Sequence, residues 1–248
     1  MAIIPCFNTG LHIGEVVSRA KKFVDEVIVV DDGSTDDTAR VAIEVSARVI
    51  KHERNQGKGS AMKTGVISTD ANLIVFIDGD SQHNPEDIPI FLSAILQGAE
   101  LVIGSRHLGE SKVVSPTFSR RITNILASKI ISFFTLFLLP WVKSHKMRKK
   151  QITADNIIRD RIRITDCTSG FRAITKTAWN KLSLSSTGFE IETEMIYEAV
   201  KQNLKISEVP ISCHWKTTGS KLSIFRDGYR TIKLLLKKLY GDIKNEWD

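Results

Sequence analysis

Cysteine is scarce in this chain of 248 residues, and the three that occur, Cys6, Cys167 and Cys213, lie far apart. An odd number of distant cysteines lacks the close pairs that a disulfide framework or a zinc site needs. The sequence therefore argues against both, and we expect the protein to work in a reducing compartment.

Apolar runs long enough to cross a membrane are also lacking. The first run, Ala2–Ile4, is far too short for a signal-peptide core, so we expect the fold to begin with the first residues. A later run, Ile130–Leu139, has only about half of the roughly 20 apolar residues that a spanning helix needs. It ends a helical stretch, 119–139, that fits an interfacial or deeply packed helix better.

Two common nucleotide-binding motifs are missing. No Gly-x-Gly-x-x-Gly follows the first strand and no Walker pattern occurs, which counts against a dehydrogenase and a P-loop enzyme. Aromatic residues make up only 7% of the chain, and no recognisable nucleic-acid-binding module surrounds its Lys and Arg clusters. We therefore expect no nucleic-acid partner, and a nucleic-acid-binding protein stays a distant alternative.

The net charge of +7 is concentrated in the second half of the chain. Eight Lys or Arg stand against two Asp between Pro140 and Thr165, and eight bases against four acids from Lys216 to Asp248. Such clusters suggest a polyanionic partner, either nucleic acid or anionic lipid. A solvated basic surface is the alternative interpretation.

The first half of the chain alternates short β-branched runs with amphipathic segments, which is typical of a parallel sheet with crossover helices. The predicted strands are Ala2–Ile4, Glu26–Val30, Ala47–Lys51, Leu73–Ile77, Leu101–Ile103, Asp166–Ile174 and Lys205–Ile211. The predicted helices include residues 13–23, a helix with Asn84 as N-cap and Pro85 as its first residue, Glu190–Gln202 and Ile224–Tyr240.

Two carboxylates follow the fourth predicted strand, in the segment Ile77-Asp78-Gly79-Asp80. Residues two apart in an extended chain point the same way, so both carboxylates can converge on one hard cation. Gln82 adds a neutral oxygen, and a diphosphate would supply further ligands. An acidic turn is the alternative, because Asp and Gly are common turn residues.

Other polar residues follow three further strands. The pair Asp31-Asp32 stands where open parallel sheets bind a base or ribose, although Ser34 or Thr35 would equally serve as a helix N-cap. The segment Asn55-Gln56-Gly57-Lys58-Gly59 offers a cation near phosphates, and Arg106 follows the fifth strand. If the strands are parallel, all four strand ends meet at one edge of the sheet.

The order of these motifs resembles family 2 glycosyltransferases. The early motifs that carry the resemblance are Ile4-Pro5-Cys6-Phe7-Asn8, Asp31-Asp32-Gly33-Ser34-Thr35-Asp36, Asn55–Gly59, Asp78–Pro85 and Gly104-Ser105-Arg106. The later ones, Thr168–Ala173, Gly188–Glu194 and Gly219–Leu222, are similar to the subgroup that acts on dolichyl or polyprenyl phosphate. The resemblance spans nearly the whole chain, and its later motifs are the more discriminating.

The resemblance implies a GT-A fold, which is an α/β architecture with a mostly parallel, Rossmann-like sheet, together with interfacial helices near the membrane. It implies nucleotide contacts at Pro5, Phe7, Asn8, Asp31, Asp32, Lys58, Asp78, Gly79 and Asp80. Mg²⁺ or Mn²⁺ would be held by Asp78, Asp80 and Gln82, and the catalytic residues would be Asp78, Asp80, Arg106 and Asp166. Phosphate or acceptor contacts would come from Arg106, Arg120, Arg121, Ser169, Arg172, Glu190 and Lys221.

One catalytic domain is expected, in which residues 1–118 form the nucleotide-sugar-binding half and 166–223 the acceptor-binding half. Residues 119–165 would hold the interface helix and a basic insertion, and 224–248 a C-terminal amphipathic helix. The chain departs from the family pattern at Thr9, where Glu usually follows the first-strand Asn, so that one donor contact is in question.

The activity that the resemblance implies is transfer of a sugar from GDP-mannose, UDP-glucose or UDP-N-acetylglucosamine to dolichyl or polyprenyl phosphate, with inversion by one in-line displacement. A phosphate acceptor is already an anion at neutral pH, whereas a hydroxyl acceptor would need a base such as Asp166 or Glu190. Transfer to a soluble sugar or polysaccharide is the alternative. We expect peripheral attachment to the cytoplasmic face of a membrane, through helix 119–139 and the basic C-terminal segment.

Overall fold

The computed structural model describes residues 1–108, 164–213 and 224–247. The helix predicted across 119–139, nearly all of the basic segment 140–165 and the motif Gly219–Leu222 lie outside these ranges. Three predicted site residues lie outside them too, namely Arg120, Arg121 and Lys221. The division of the chain into four parts stays a prediction.

Short apolar strands alternate with helices in the described ranges, as the hydrophobic pattern predicts. The strands are β1 (Ala2–Cys6), β2 (Val27–Asp31), β3 (Arg48–Lys51), β4 (Leu73–Phe76), β5 (Leu101–Ser105), β6 (Arg172–Thr175) and β7 (Ile206–Pro210). The helices are α1 (Gly10–Ala20), α2 (Thr38–Glu44), α3 (Lys58–Ile67), α4 (Ile88–Leu96), α5 (Lys176–Lys181), α6 (Ile191–Lys201) and α7 (Ile224–Trp247).

All of these strands pair in one sheet with the order β3-β2-β1-β4-β6-β5-β7. Strand β6 runs antiparallel to both of its neighbours, and the other pairs are parallel. The sheet is therefore mostly parallel, as predicted. The carboxyl ends of six strands meet the start of β6 at one side, which we call the polar edge, because ligands of open parallel sheets bind there.

Helices cover both faces of the sheet, because successive strand side chains point to opposite faces. Ile3 and Ile28 face one core together with α3, α6 and α7, and Ile4 and Val29 face a second core with α1, α2 and α4. Burial on both faces explains why the central strands read as continuous apolar runs without polar alternation.

The loop before β6 differs from its prediction as a strand. Only Arg172–Thr175 is a strand, so the predicted strand 166–174 is wrong for its first six residues. The carboxylate of Asp166 accepts a hydrogen bond from Thr168 N at 3.3 Å, and Ser169 Oγ accepts one from Phe171 N at 3.4 Å. Such local side-chain bonds stabilise turns at the expense of a β ladder.

Two predicted helix caps also differ. Asn84 precedes Pro85 as predicted, but a 3₁₀ turn, Pro85–Asp87, leads into α4, and Asn84 makes no capping bond. Its side-chain oxygen accepts instead from the Arg19 guanidinium. Neither alternative cap in the β2 loop is used, because α2 begins at Thr38.

Helix α7 is longer than predicted and continues to Trp247. It packs on α6 through the buried Leu235, a 2.6 Å ion pair between Lys238 Nζ and Glu198 Oε1, and a 2.7 Å bond from Tyr197 Oη to Asp242 Oδ2. Within the described ranges, no helix combines the length and the apolar character that a membrane crossing demands.

Candidate active site

A lysine between two carboxylates lies at the centre of the polar edge. Lys58, the first residue of α3, places Nζ 2.5 Å from Asp78 Oδ1 and 2.6 Å from Glu192 Oε1. Its ammonium also lies 5.5 Å from the ring centroid of Phe189. Burial alone would lower the pKa of Lys58, but the two carboxylates outweigh it and hold this pKa above its ordinary value. The Lys58 side chain therefore stays positively charged.

Asp78 follows β4 and remains an anion. Burial would raise its pKa, but the Lys58 ammonium outweighs burial and holds the pKa below its ordinary value. His83 Nδ1 lies 3.8 Å from Asp78 Oδ2 and has no hydrogen-bond partner among the described residues. Burial lowers the pKa of His83, so the imidazole is neutral and its ring nitrogen can act as a ligand.

Asp80 and Gln82 form a compact pair next to Asp78. The Asp80 carboxylate accepts hydrogen bonds from Gln82 N at 3.0 Å and Gln82 Nε2 at 2.9 Å. Strand β4 ends at Phe76 and residues 79–80 form a turn, so the extended chain predicted for this segment is wrong. The turn, with Ser81 at φ 58°, brings Asp80 and Gln82 together instead.

These oxygens fit a divalent ion that also binds substrate. Carboxylate and amide oxygens are the ligands that Mg²⁺ and Mn²⁺ prefer, and Mg²⁺ usually takes one or two carboxylates plus substrate phosphates. In the described ranges, no group of three or more His, Cys, Asp and Glu side chains is arranged so that it could hold a metal ion. The partial donor set and the unpartnered His83 nitrogen therefore suit an ion that a diphosphate helps to hold.

Arg106 and Asp166 form a buried ion pair beside this group. Arg106 Nε lies 2.6 Å from Asp166 Oδ2, and Nη2 lies 2.8 Å from Oδ1. Burial would raise the pKa of Asp166, but Arg106 outweighs it and holds this pKa well below its ordinary value. Asp166 is fully buried, and such a carboxylate is a poor general base. The structure thus argues against its predicted use as a base.

Arg172 and Ser169 hold the loop before β6 in place. The fully buried Arg172 guanidinium donates to the carbonyl oxygens of Ser169, Cys167 and Glu192, at 2.8, 2.8 and 2.5 Å. Ser169 is fully buried as well. Their geometry supports a structural role in place of the predicted contacts with phosphate or acceptor.

The two aspartates at the end of β2, Asp31 and Asp32, differ in their hydrogen-bond partners. Asp32 accepts hydrogen bonds from Gln56 N, Gly57 N and His52 Nδ1 at 2.9, 2.7 and 2.7 Å, so it fixes the loop that presents Lys58. Asp31 Oδ2 is buried without a hydrogen-bond donor, with Lys51 Nζ 4.0 Å away. The unused acceptor of Asp31 makes it the better candidate for an N–H group of a base.

The loop after β1 meets the loop after β2. Asn8, at φ 50°, donates its backbone N–H to Ser34 Oγ at 2.8 Å, and its side-chain oxygen accepts from Thr35 N at 2.9 Å. Pro5 and Phe7 are half-buried beside this junction. Five of the nine predicted nucleotide residues thus lie on or beside this loop pair, namely Pro5, Phe7, Asn8, Asp31 and Asp32, whereas Lys58, Asp78, Gly79 and Asp80 belong to the Lys58 group.

A model of the family described as Glycosyl transferase family 2 matches residues 1–182 of the chain. The chain belongs to this family. Its predicted activity as a glycosyltransferase and its predicted GT-A fold are thereby confirmed. The family match leaves the alternative of a nucleic-acid-binding protein without support. The roles of the individual site residues stay predictions.

Curated relatives of this glycosyltransferase include enzymes named for lipid phosphates. It is 31% identical over 254 residues to a dolichol-phosphate mannosyltransferase of Pyrococcus furiosus, covering 98% of this chain and 63% of that protein. It is 28% identical over 266 residues to a UDP-N-acetylglucosamine–dolichyl-phosphate N-acetylglucosaminyltransferase of Methanococcus voltae, covering 96% of both. The predicted resemblance to polyprenyl-phosphate sugar transferases is thus confirmed.

Among solved structures, the glycosyltransferase is similar to glucosyl-3-phosphoglycerate synthase from Mycobacterium tuberculosis in complex with Mn²⁺, UDP and glucosyl-3-phosphoglycerate. The TM-score is 0.71 at 21% identity, over 96% of this chain and 78% of that one. At this level of identity the similarity concerns the fold.

Three residues of the glycosyltransferase's polar edge were not predicted as site residues, namely His83, Gly170 and Glu192. Each lies inside a motif that the family resemblance covers, but nothing in the local sequence marks it as a neighbour of Lys58 or Asp78. Glu192 is 134 residues from Lys58 in the chain. The packing of α6 brings Glu192 to Lys58, and the loop before β6 brings Gly170 to the Lys58–Asp78 pair.

Gly170 leaves room for the Lys58–Asp78 pair of the glycosyltransferase. A Cβ there would lie 2.5 Å from both Lys58 Nζ and Asp78 Oδ2, closer than van der Waals contact. We expect Gly170→Ala to lower kcat/KM by about 10²-fold, since displacement by about an ångström costs this much in active sites. Gly241→Ala is the control, because its Cβ meets nothing within 4 Å. Equal steady-state rates for both variants would contradict the prediction.

Proposed function

We propose that this glycosyltransferase moves a sugar from a nucleotide sugar to the phosphate of a dolichyl or polyprenyl lipid, with inversion at the anomeric carbon. The names of the Pyrococcus and Methanococcus relatives support a lipid phosphate acceptor. They differ in the sugar, so GDP-mannose, UDP-glucose and UDP-N-acetylglucosamine are the donors to compare.

The state of the carboxylates at the polar edge carries the proposal. Asp78 is bound by Lys58 and Asp166 by Arg106, and these cations hold the pKa of each carboxyl below its ordinary value. Burial raises the pKa of Glu192, but its Oε1 is occupied by the Lys58 ammonium. Carboxylates held as partners of cations accept protons weakly. An acceptor phosphate needs no such help, because it is already an anion at neutral pH. The site therefore suits a charged nucleophile better than a hydroxyl group.

The donor diphosphate would lie between the metal ligands and the basic residues. Asp78, Asp80 and Gln82 would hold Mg²⁺ or Mn²⁺, and the Mn²⁺ and UDP named in the synthase complex support the use of a divalent ion with a nucleoside diphosphate. The metal would neutralise charge on the departing nucleoside diphosphate. Lys58 would add a positive charge there, while the base would contact Asp31.

A hydroxyl acceptor is the second candidate, and Glu190 is the observation that favours it. Glu190 Oε1 accepts a bond from Gly188 N at 3.3 Å, but Oε2 is buried without a partner. An unneutralised carboxylate at the start of α6 can serve as a general base. The similar glucosyl-3-phosphoglycerate synthase was solved in complex with phosphoglyceric acid, which carries a hydroxyl group and no lipid chain.

Incubation with Mn²⁺, the three donors, and either a short polyprenyl phosphate or soluble sugars and hydroxy acids tests the proposal. We expect labelled sugar to appear on the polyprenyl phosphate, and Glu190→Gln to leave this transfer in place. Transfer to hydroxyl acceptors alone, abolished by Glu190→Gln, would replace the proposal with the second candidate.

The exposed face of α7 supports attachment to a lipid surface. Its apolar residues, three or four positions apart, are Tyr229, Ile232, Leu236 and Tyr240, with exposures of 67, 42, 49 and 69%. Exposed bases lie beside them, namely Arg226, Arg230, Lys233, Lys237 and Lys244. An apolar stripe with flanking bases is the pattern of helices that lie in an anionic membrane interface.

The direction of α7 supports a position near the polar edge for the first part of this stripe, Tyr229 and Ile232. Lys238 meets Glu194 and Glu198, whereas Asp242 meets Tyr197 and Lys201, so α7 runs parallel to α6. Because α6 begins at the polar edge, the turns of α7 before Leu235 extend beyond its start. Attachment to the cytoplasmic face of a membrane through this stripe would bring a lipid phosphate towards the site.

Replacing two apolar residues of the stripe tests the attachment. We expect Ile232→Ser with Leu236→Ser to weaken flotation with anionic liposomes by about tenfold or more, since each side chain contributes roughly 1.5–3 kcal/mol when buried. Transfer to a short, water-soluble polyprenyl phosphate should persist. Ile43→Ser with Ile67→Ser is the control, because these residues are 60 and 83% exposed elsewhere. Equal flotation of both double variants would contradict the attachment.

A further inference from the structure

The position of Lys58 in this structure conflicts with metal binding at the same carboxylate oxygen. Lys58 Nζ lies 2.5 Å from Asp78 Oδ1. A Mg²⁺ ion binds oxygen at about 2.0–2.1 Å. An ammonium group and a divalent ion bound to the same oxygen atom would repel each other strongly. The ammonium must therefore leave Asp78 when a divalent ion takes up that oxygen.

Glu192 provides the place to which the ammonium can withdraw. Its Oε1 already lies 2.6 Å from Lys58 Nζ, and its side chain is only 4% exposed. The backbone on both sides is held firmly: Glu192 O accepts from the Arg172 guanidinium, and a Cβ at Gly57 would lie 2.3 Å from Thr187 O. Because both backbones are fixed, the ammonium can exchange partners by side-chain rotation alone.

Charge explains why this exchange should depend on the nucleotide. Asp78, Asp80 and Glu192 carry three negative charges when ionised, and Lys58 offsets one of them. A divalent ion without nucleotide could bind Asp78 only by displacing the Lys58 ammonium, so its net gain in attraction would be small. A diphosphate brings further negative charge and offers oxygens both to the ion and to the displaced ammonium.

We propose that Lys58 occupies the metal's place at Asp78 until the donor arrives, and that Glu192 is the positioning residue that holds Lys58 once it is displaced. Metal and nucleotide binding are coupled through this exchange, so each tightens the other. The inference rests on the proposed metal and diphosphate site at Asp78, and it adds a reason why the metal should bind weakly without nucleotide.

Titration of Mn²⁺ into the full chain tests this inference, with free Mn²⁺ measured by electron paramagnetic resonance. In the absence of nucleotide, we expect Lys58→Met to bind Mn²⁺ about tenfold more tightly than the unaltered protein, because a competing cation is gone. We expect Glu192→Gln to bind it more weakly, because Lys58 then has only Asp78 as a carboxylate partner. Changes of opposite sign in Mn²⁺ affinity would not arise from a general loss of structure, because such a loss would weaken Mn²⁺ binding in both variants.

The coupling itself is the second measurement. With saturating UDP or GDP, Mn²⁺ affinity of the unaltered protein should rise, and the rise should be about tenfold smaller in Lys58→Met. Lys58→Arg keeps the charge and should retain most of the coupling. Glu198→Gln is the matched control, a buried glutamate of the same helix that pairs with Lys238, and should change neither quantity.

Two outcomes separate this inference from the proposed function. Unchanged or weaker nucleotide-free Mn²⁺ binding in Lys58→Met, with coupling as in the unaltered protein, would overturn the exchange while the metal site stands. Absence of Mn²⁺ binding to the unaltered protein, with or without UDP and GDP, would overturn the metal site and the inference together.

Discussion

Asp80→Asn is expected to lower the turnover of this glycosyltransferase by about 10³-fold. The change keeps the shape of the side chain but removes one of the two carboxylates that we propose hold a divalent ion. A metal contributes several kcal/mol of charge stabilisation, and each 1.4 kcal/mol or so changes the rate about tenfold. Steady-state transfer with labelled donor and polyprenyl phosphate measures it, and EDTA should reduce the unaltered enzyme to a similar rate.

Asp70→Asn provides the matched control for this substitution. Asp70 is an exposed aspartate that precedes β4, whereas Asp80 follows it at the polar edge. Loss of the Asp70 carboxylate should leave turnover unchanged. Full activity of Asp80→Asn, together with turnover that EDTA does not slow, would remove the metal from the proposed function.

The second large effect concerns stability and the Arg106–Asp166 pair. Arg106→Met should reduce the free energy of unfolding by about 3–5 kcal/mol, because it leaves a buried carboxylate without its partner. Asp166 is fully buried and the Arg106 side chain only 12% exposed, so water screens the pair little. Urea unfolding followed by circular dichroism measures the change. Arg40→Met is the control, since its ion pairs lie on the exposed side of α2 and should matter little.

The same pair predicts how stability depends on pH. The pKa of Asp166 is lower in the folded protein than the unfolded value of about 3.9. A carboxyl group of this kind stabilises the fold above its unfolded pKa, and the contribution disappears as pH falls through the folded pKa. Below about pH 4, the unaltered protein should therefore lose more stability than Asp166→Asn does. Parallel losses for the two proteins would show that the carboxylate is not stabilised by Arg106.

The strands and helices follow largely from the sequence because their signals are local. Strands β1, β2, β4 and β5 lie within two residues of their predicted bounds at either end. They are buried on both faces, so their apolar runs are continuous and easily found. The loop before β6 was mistaken for a strand because its turns depend on bonds made by Asp166 and Ser169, which a hydrophobic pattern does not show.

The sequence predicted which residues lie at the candidate site better than it predicted which partners they bind. Asp78, Asp80, Lys58 and Arg106 do meet around His83 at the polar edge, as parallel strand ends should. The predicted phosphate contact of Arg172 was a weaker inference, because a guanidinium can bind backbone carbonyl oxygens as readily as an anion. Burial and partners, which decide between these uses, are properties of the folded chain.

By itself, the sequence determined an alternating α/β chain whose strand ends carry acids and bases, because residue periodicity and strand-end chemistry are local properties. The tertiary structure alone decided which charges neutralise one another. Insertion of the antiparallel β6 between β4 and β5 brings Asp166 to Arg106, and the packing of α6 brings Glu192 to Lys58 across 134 residues. Pairing over such distances depends on the order of strands in the sheet, which no single segment encodes.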